Sequence, residues 1–218
     1  MLASDVVTDV ANTLLDPGIV TNTGVAWSQA EILSYLSAGQ LAAAMQKRDI
    51  APIVGPVPLV AGSVQQLPAT GLQVIDAYYN VGSGNAVLPG TMRVLDRMVP
   101  NWRAMTPSID VVDYFTDERS PLIFHVSPPN NGSGALQMLY GALPALVTTM
   151  GQTLALPDIW RQALWAFVCG TAYAKNSRRQ DLVKSQGLIS LFDQWISGGK
   201  VSQAEVAKYQ PDGQRGEA

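Results

Sequence analysis

Cysteine is almost missing from this sequence: Cys169 is the only one in 218 residues. A lone thiol builds neither a disulfide framework nor a thiolate metal cluster within one chain. Histidine is equally scarce, with His125 standing alone, so a His-rich metal centre would need ligands shared between subunits. Charge is sparse as well. Asp, Glu, Lys and Arg make up 14% of residues, against about 25% in an ordinary soluble domain. The balance is 14 basic to 17 acidic residues, net −3, which makes nucleic acid a poor general partner. A channel through which DNA only slides is still allowed, because it has no need to be basic. No run approaches the roughly 18 consecutive apolar residues of a membrane helix. The start, Met1-Leu2-Ala3-Ser4-Asp5, lacks the basic region of a signal peptide. The expectation is a protein of a cytoplasm, or of an assembly built there. Catalytic motifs are missing too. Gly82-Ser83-Gly84 lacks the third glycine of a dinucleotide loop, and neither H-E-x-x-H nor G-x-S-x-G occurs.

What the chain does have is apolar residues (47%), 19 glycines and 14 prolines. That is enough apolar surface to offset the entropy of ordering the chain. The length suits one large domain or two small ones. High apolar content with so little charge suggests surface that another chain covers.

Along the chain, helices come first. Ser4 is placed as the cap of a helix to about Leu15, with Val6, Val7, Val10, Ala11, Leu14 and Leu15 as its stripe. Trp27-Ser28-Gln29-Ala30-Glu31-Ile32 reads as a capping box with a hydrophobic staple. Ser28 caps, Glu31 returns to the Ser28 amide, and Trp27 packs on Ile32. That helix runs to about Lys47-Arg48, with Gly39 inside it as a site of close helix packing. Pro52, Pro56 and Pro58 then mark extended edge chain, and 64–68 reads as the second arm of its hairpin. Residues 72–80 form a strand, or a short helix flowing into one. Residues 92–99 form a helix with Val94, Leu95 and Met98 apolar. Strands at 111–115 and 122–126 pair around a turn at 116–121. A long turn at 127–134 precedes a strand at 135–140. Leu156-Pro157-Asp158 opens a helix with Asp158 as its cap, and a last helix runs from about Arg178 to Ile196. The expected fold class is α+β: N- and C-terminal helices, 1–50 and 145–198, form a roughly four-helix bundle. A small antiparallel β domain, 51–144, is inserted between them, and 199–218 is an extended tail.

Few residues invite chemistry. His125 would need Asp113 or Asp117 as an orienter to act as a base. Asp117-Glu118-Arg119 is the densest charge cluster of the middle segment. Paired carboxylates of this kind do acid/base work or hold magnesium, but a solvated hairpin turn gives the same pattern and is preferred. Arg119 is expected to pair with Asp117 or Asp76. Cys169 reads as a small core residue. Lys175, Arg178, Arg179 and Lys184 make the one local cationic patch, suited to an acidic neighbour or nucleic acid, with helix-end solvation the preferred reading. Trp27, Trp102, Trp160, Trp165 and Trp195 read as packing anchors. No cofactor, metal or catalytic residue is assigned.

The chain resembles a family of head-to-tail adaptor (connector) proteins of tailed bacteriophages. The resemblance is carried by Trp27-Ser28-Gln29-Ala30-Glu31-Ile32-Leu33 with Tyr35 to Gln40, Leu59-Val60-Ala61-Gly62-Ser63 with Gln66-Leu67-Pro68, and Ile75-Asp76 with Asn80. Further on come Val94-Leu95-Asp96-Arg97, Pro100-Asn101-Trp102, Tyr114 to Pro121, Leu156-Pro157-Asp158-Ile159-Trp160 and Ala172-Tyr173-Ala174-Lys175. Together these cover roughly residues 4 to 195. The resemblance implies a non-enzymatic virion protein of the neck, assembled in the host cytoplasm. About twelve copies would form a homo-oligomer ring beneath the portal protein and extend the channel through which packaged DNA passes without sequence-specific binding. The helical domain and the C-terminal tail would meet the portal, and the opposite face would meet tail or nozzle proteins. The structural and interface candidates are Trp27, Ser28, Glu31, Asp76, Trp102, Asp117, Glu118, Arg119, Asp158, Arg178 and Arg179. The alternatives are another neck protein, a stopper or terminator, and, more distantly, a metal-dependent hydrolase using Asp113, Asp117, Glu118 and His125.

Overall fold

The computed structural model describes residues 1–117 and 119–198. Glu118 and the tail expected at 199–218 lie outside the described residues. Within them are five α-helices and two small sheets, an α+β chain. The residues fall into two compact units. One comprises Met1–Lys47 with the described part of Pro144–Ala218, and the other comprises Arg48–Leu143. No helix among the described residues is long and apolar enough to cross a membrane.

The first unit is helical. Helix α1 (Ala3–Thr13) buries Ala3, Val6, Val7, Val10 and Ala11 on one stripe. Ser4 sits inside it rather than capping it. The cap is reached differently: the Leu2 amide donates to Asp5 Oδ2 at 2.8 Å. At the other end the Asp16 amide donates to Ala11 O (3.0 Å) and the Leu15 amide to Asn12 O (3.3 Å). This is the Schellman arrangement, and it needs a left-handed residue just past the last turn. Leu15 fills that place at φ +53 and is 70% exposed, so it leaves the stripe it was expected to complete.

Helix α2 (Gln29–Gln46) starts at Ser28, whose Oγ accepts from the Glu31 amide at 3.2 Å. Helix α4 (Arg161–Ala174) starts later than expected, because a 3₁₀ turn (Asp158–Trp160) comes first. Asp158 makes no cap hydrogen bond and is exposed. Helix α5 (Leu182–Ile196) also starts later. Its cap is Asp181, which accepts from the Lys184 amide at 3.0 Å, and Arg178 and Arg179 stay in the connection before it. Helix α4 is the shared partner on which α1, α2 and α5 pack. Its approach to α2 runs over Gly39, where a Cβ would stand 2.9 Å from Phe167 Cδ1.

The second unit holds the sheets. Strands β1 (Pro52–Pro58), β7 (Ala135–Ala142) and β3 (Gly71–Asn80) form one, antiparallel throughout, with β7 central. Strands β2 (Gly62–Gln66), β6 (Ile123–Asn130), β5 (Asp113–Thr116) and β4 (Leu88–Pro89) form the other, in that order. Two sheets therefore replace the single one expected, and β4 runs parallel to β5. The expected hairpin of β1 and β2 does not form, since the two strands belong to different sheets. Pairing went to β7 and β6, which cover the apolar positions of Val57, Val74, Phe124, Val126, Leu136 and Met138 in one buried cluster. Proline-rich β1 does lie at an edge, as its missing amide donors require.

Strand β6 runs on through Asn130, so the expected turn at 127–134 shrinks. Asn130 is fully buried and does the turning itself: its Oδ1 accepts from the amides of Gly132 (2.8 Å) and Gly134 (3.2 Å), and its Nδ2 donates to Ile109 O (2.8 Å). Asn80 closes a similar clamp on Val111, with both bonds at 2.8 Å. Helix α3 (Met92–Met98) lies between β4 and a 3₁₀ turn at Trp102–Ala104. It buries none of its residues.

Candidate functional site

No cluster of three or more His, Cys, Asp or Glu suited to a metal ion occurs among the described residues. His125, on β6, pairs across to Phe115 and Val64. Its Nδ1 has no hydrogen-bond partner, and neither Asp113 nor Asp117 orients it. Burial and the Arg103 charge hold its pKa below the ordinary value. Cys169 is buried, and desolvation pushes its thiol far up, which suits a core residue and not a nucleophile. Two groups of engaged polar side chains remain among the described residues, one in each unit.

In the helical unit the start of α2 is bolted to the end of α4. Buried Trp27 donates from Nε1 to Ala172 O at 3.3 Å. Lys175 Nζ reaches Glu31 Oε2 at 2.8 Å and Ala26 O at 3.2 Å. Tyr35 donates to Glu31 Oε1 at 2.7 Å. Burial alone raises the Glu31 pKa, but the bonds from Lys175 and Tyr35 outweigh it and hold the carboxyl low. The Ser28 amide lowers it as well, though it is the least of these influences. Burial and the Glu31 charge push Tyr35 up to about 12.

The expected cationic patch is largely consumed by such ties. Lys184 pairs with Asp181 at 3.2 Å. Arg179 donates to Leu14 O at 3.1 Å and stands 5.5 Å from the Trp27 ring. Arg178 is exposed. A cleft of about 430 Å³ opens beside this joint, lined in part by Leu15, Trp27, Tyr173, Arg179 and Lys184.

In the sheet unit the hub is Asp96 on α3. Its Oδ1 accepts from Trp102 Nε1 at 2.8 Å and from Arg103 Nη1 at 2.7 Å, and both bonds lower its pKa. Trp102 is fully buried and its ring meets Phe115, with centroids 5.6 Å apart. Asp76 is engaged elsewhere, accepting from Tyr114 OH at 2.6 Å. Burial and that charge push Tyr114 up to about 12. Asp117 accepts from the Arg119 amide at 3.0 Å, and no ion pair joins the Arg119 guanidinium to Asp117 or Asp76 among the described residues, contrary to expectation. Instead Arg119 shares a cleft of about 410 Å³ with Arg93, Thr91, Thr116 and Asp117. Arg93 was not a candidate in the sequence, where 92–99 showed only the helical spacing of Val94, Leu95 and Met98.

Trp27, Ser28, Glu31 and Arg179 thus gather at one joint, and Asp117 and Arg119 at one cleft. Asp76, Trp102 and Asp158 each sit apart. A family model described as the SU10 adaptor protein matches residues 1–207. No curated protein matches the sequence.

Proposed function

We propose that this chain, which belongs to the SU10 adaptor protein family of phage head-to-tail adaptors, serves as a non-enzymatic structural subunit of the virion neck. The observation that carries the reading is the extent of the match, which runs through both units. About twelve copies close a ring beneath the portal through head-to-tail contacts between unlike faces. The ring prolongs the DNA channel and gives tail or nozzle proteins their platform. Helices α1, α2, α4 and α5 act as a four-helix bundle that meets the portal and sister copies. Trp27, Ser28, Glu31, Arg179 and Asp158 keep that surface in shape, with Arg178 reaching outward. The sheet unit, with Asp76, Trp102, Asp117, Glu118 and Arg119, faces the tail, and 199–218 serves as an arm onto the portal. The domain limits are 1–50 with 145–198 for the bundle and 51–144 for the insert. Sparse charge, 14% of residues, leaves broad uncharged faces for sister copies. A net charge of −3 lets DNA pass without phosphate contacts that would hold it.

Mixing the purified chain with portal rings tests the reading, with electron microscopy as the readout. A ring stacked on a ring is expected. Binding only at a tail-tube end would make the chain a terminator, and a metal-dependent hydrolysis abolished by Asp117→Ala would make it an enzyme. Deleting 204–218 should leave the melting temperature unchanged, since few apolar residues go with it, while weakening portal attachment.

A further inference from the structure

Residues 91–107 form a strap tethered at both ends. At one end the Gly90 amide donates to Tyr114 O at 2.8 Å, and at the other the Ser108 amide donates to Pro129 O at 2.9 Å. Between the tethers, α3 has no extensive contact of its own with any helix or strand. What holds the strap down is the 3₁₀ turn at Trp102–Ala104, which packs on β6. Trp102 is buried against Phe115, and Asp96 ties α3 to the turn through the bonds from Trp102 Nε1 and Arg103 Nη1. His125 stands on β6 directly opposite Phe115. Its Nδ1 is closed off from water and finds no hydrogen-bond partner among the described residues.

We infer that His125 is a proton-operated release for this strap: when the imidazole takes up a proton, the turn at 102–104 loses its hold on β6 and α3 comes free of the sheet. The inference goes beyond the adaptor reading and does not depend on it. The groups that face the imidazole decide the sign. Arg103 from the turn repels a second cation, while Asp117 from the turn after β5 and Asp96 from α3 attract it. Strand β2 brings Val64 and no charged residue, and on β5 Asp113 pairs two positions further along, with Ser127. Burial together with Arg103 outweighs the two carboxylates and disfavours the proton while the strap is closed. A proton on Nδ1 also puts a charged donor where no acceptor waits. Lifting the strap removes Arg103 and lets water reach the ring. The open form therefore takes up the proton at the ordinary imidazole value, about 6.5, and the closed form only at lower pH. Falling pH shifts the balance toward the open form. Opening lays bare Phe115, which is buried while Trp102 covers it.

The test follows the isotope-labelled full chain by nuclear magnetic resonance from about pH 7.5 to about pH 5.5. The His125 ring protons should titrate with a midpoint below the ordinary imidazole value. Over the same range, hydrogen-exchange protection corrected for intrinsic rate should fall at the Trp102 indole and at the amides of Trp102, Ala104 and Met105. The amides of β7 should keep theirs. His125→Phe, which takes up no proton, should abolish the fall. Arg103→Gln should move the ring midpoint upward, a readout that holds even where loss of the Asp96 bond opens the strap at every pH. A ring midpoint at or above the ordinary value would overturn the inference. So would an equal fall in His125→Phe, which would assign it to the carboxylates, or protection lost equally in β7, the mark of unfolding of the whole unit. A midpoint unmoved by Arg103→Gln would overturn it as well.

Discussion

Leu15 illustrates how one residue can work against its own helix. The end of α1 requires a left-handed backbone, and a leucine holds it at φ +53 with its side chain largely in water. Left-handed backbone costs a side-chain-bearing residue about 1–2 kcal/mol, and glycine adopts it freely, although glycine gives up more entropy on folding. Leu15→Gly should therefore raise stability by about 0.5–1 kcal/mol. A urea midpoint that stays put or falls would mean the leucine has packing that its exposure does not suggest. Glu31 tests the joint between α2 and α4. Its pKa is lowered on folding, so it adds stability above its unfolded pKa, and that stability is lost as pH falls through the lowered value. Glu31→Gln should lower the melting temperature at neutral pH and flatten its decline in acid. Parallel curves for the two proteins would count against the tie with Lys175.

Between elements, the tightest demand falls on Gly39. Helix α2 approaches α4 so closely there that Phe167 must shift for any Cβ, and Phe167 is itself set edge-on to Phe192 at 4.9 Å. Gly39→Val should cost about 1–3 kcal/mol through overpacking. Adding Phe167→Leu should recover part of it in a denaturant melt. Gly39 was legible in the sequence, as were Ser28, the proline-marked edge β1 and the β5–β6 hairpin, because each is fixed by neighbours in the chain. Strand partnership was not legible. Local alternation says that a segment is a strand, but β7 is chosen by β1 and β3 across long stretches of chain. Two helix starts were misplaced for a related reason. Asp158 follows a proline and looks like a cap, while Asp181, the real cap of α5, sits among polar residues that give no contrast. The charge cluster at 117–119 was visible because it is dense. Arg93 was overlooked because only the structure brings it to one cleft with Arg119.

At the scale of the whole molecule, each unit has its own buried interior. Leu164 belongs to the helical one and Leu136 to the sheet one, and both are fully buried. Truncating either to alanine should cost about 2–5 kcal/mol, and the loss should appear in that unit's own reporters. Leu164→Ala should disturb the indole signals of Trp27 and Trp165, and Leu136→Ala that of Trp102. Equal disturbance of all three by either change would mean that the units unfold as one.

The helical unit is also discontinuous: α1 and α2 precede the whole of 48–143, while α4, on which both of them pack, follows it. On the ribosome the sheet unit can finish folding while the two leading helices still wait with their oily stripes uncovered. Nascent chains paused just after Leu143 should therefore be the ones that chaperones hold.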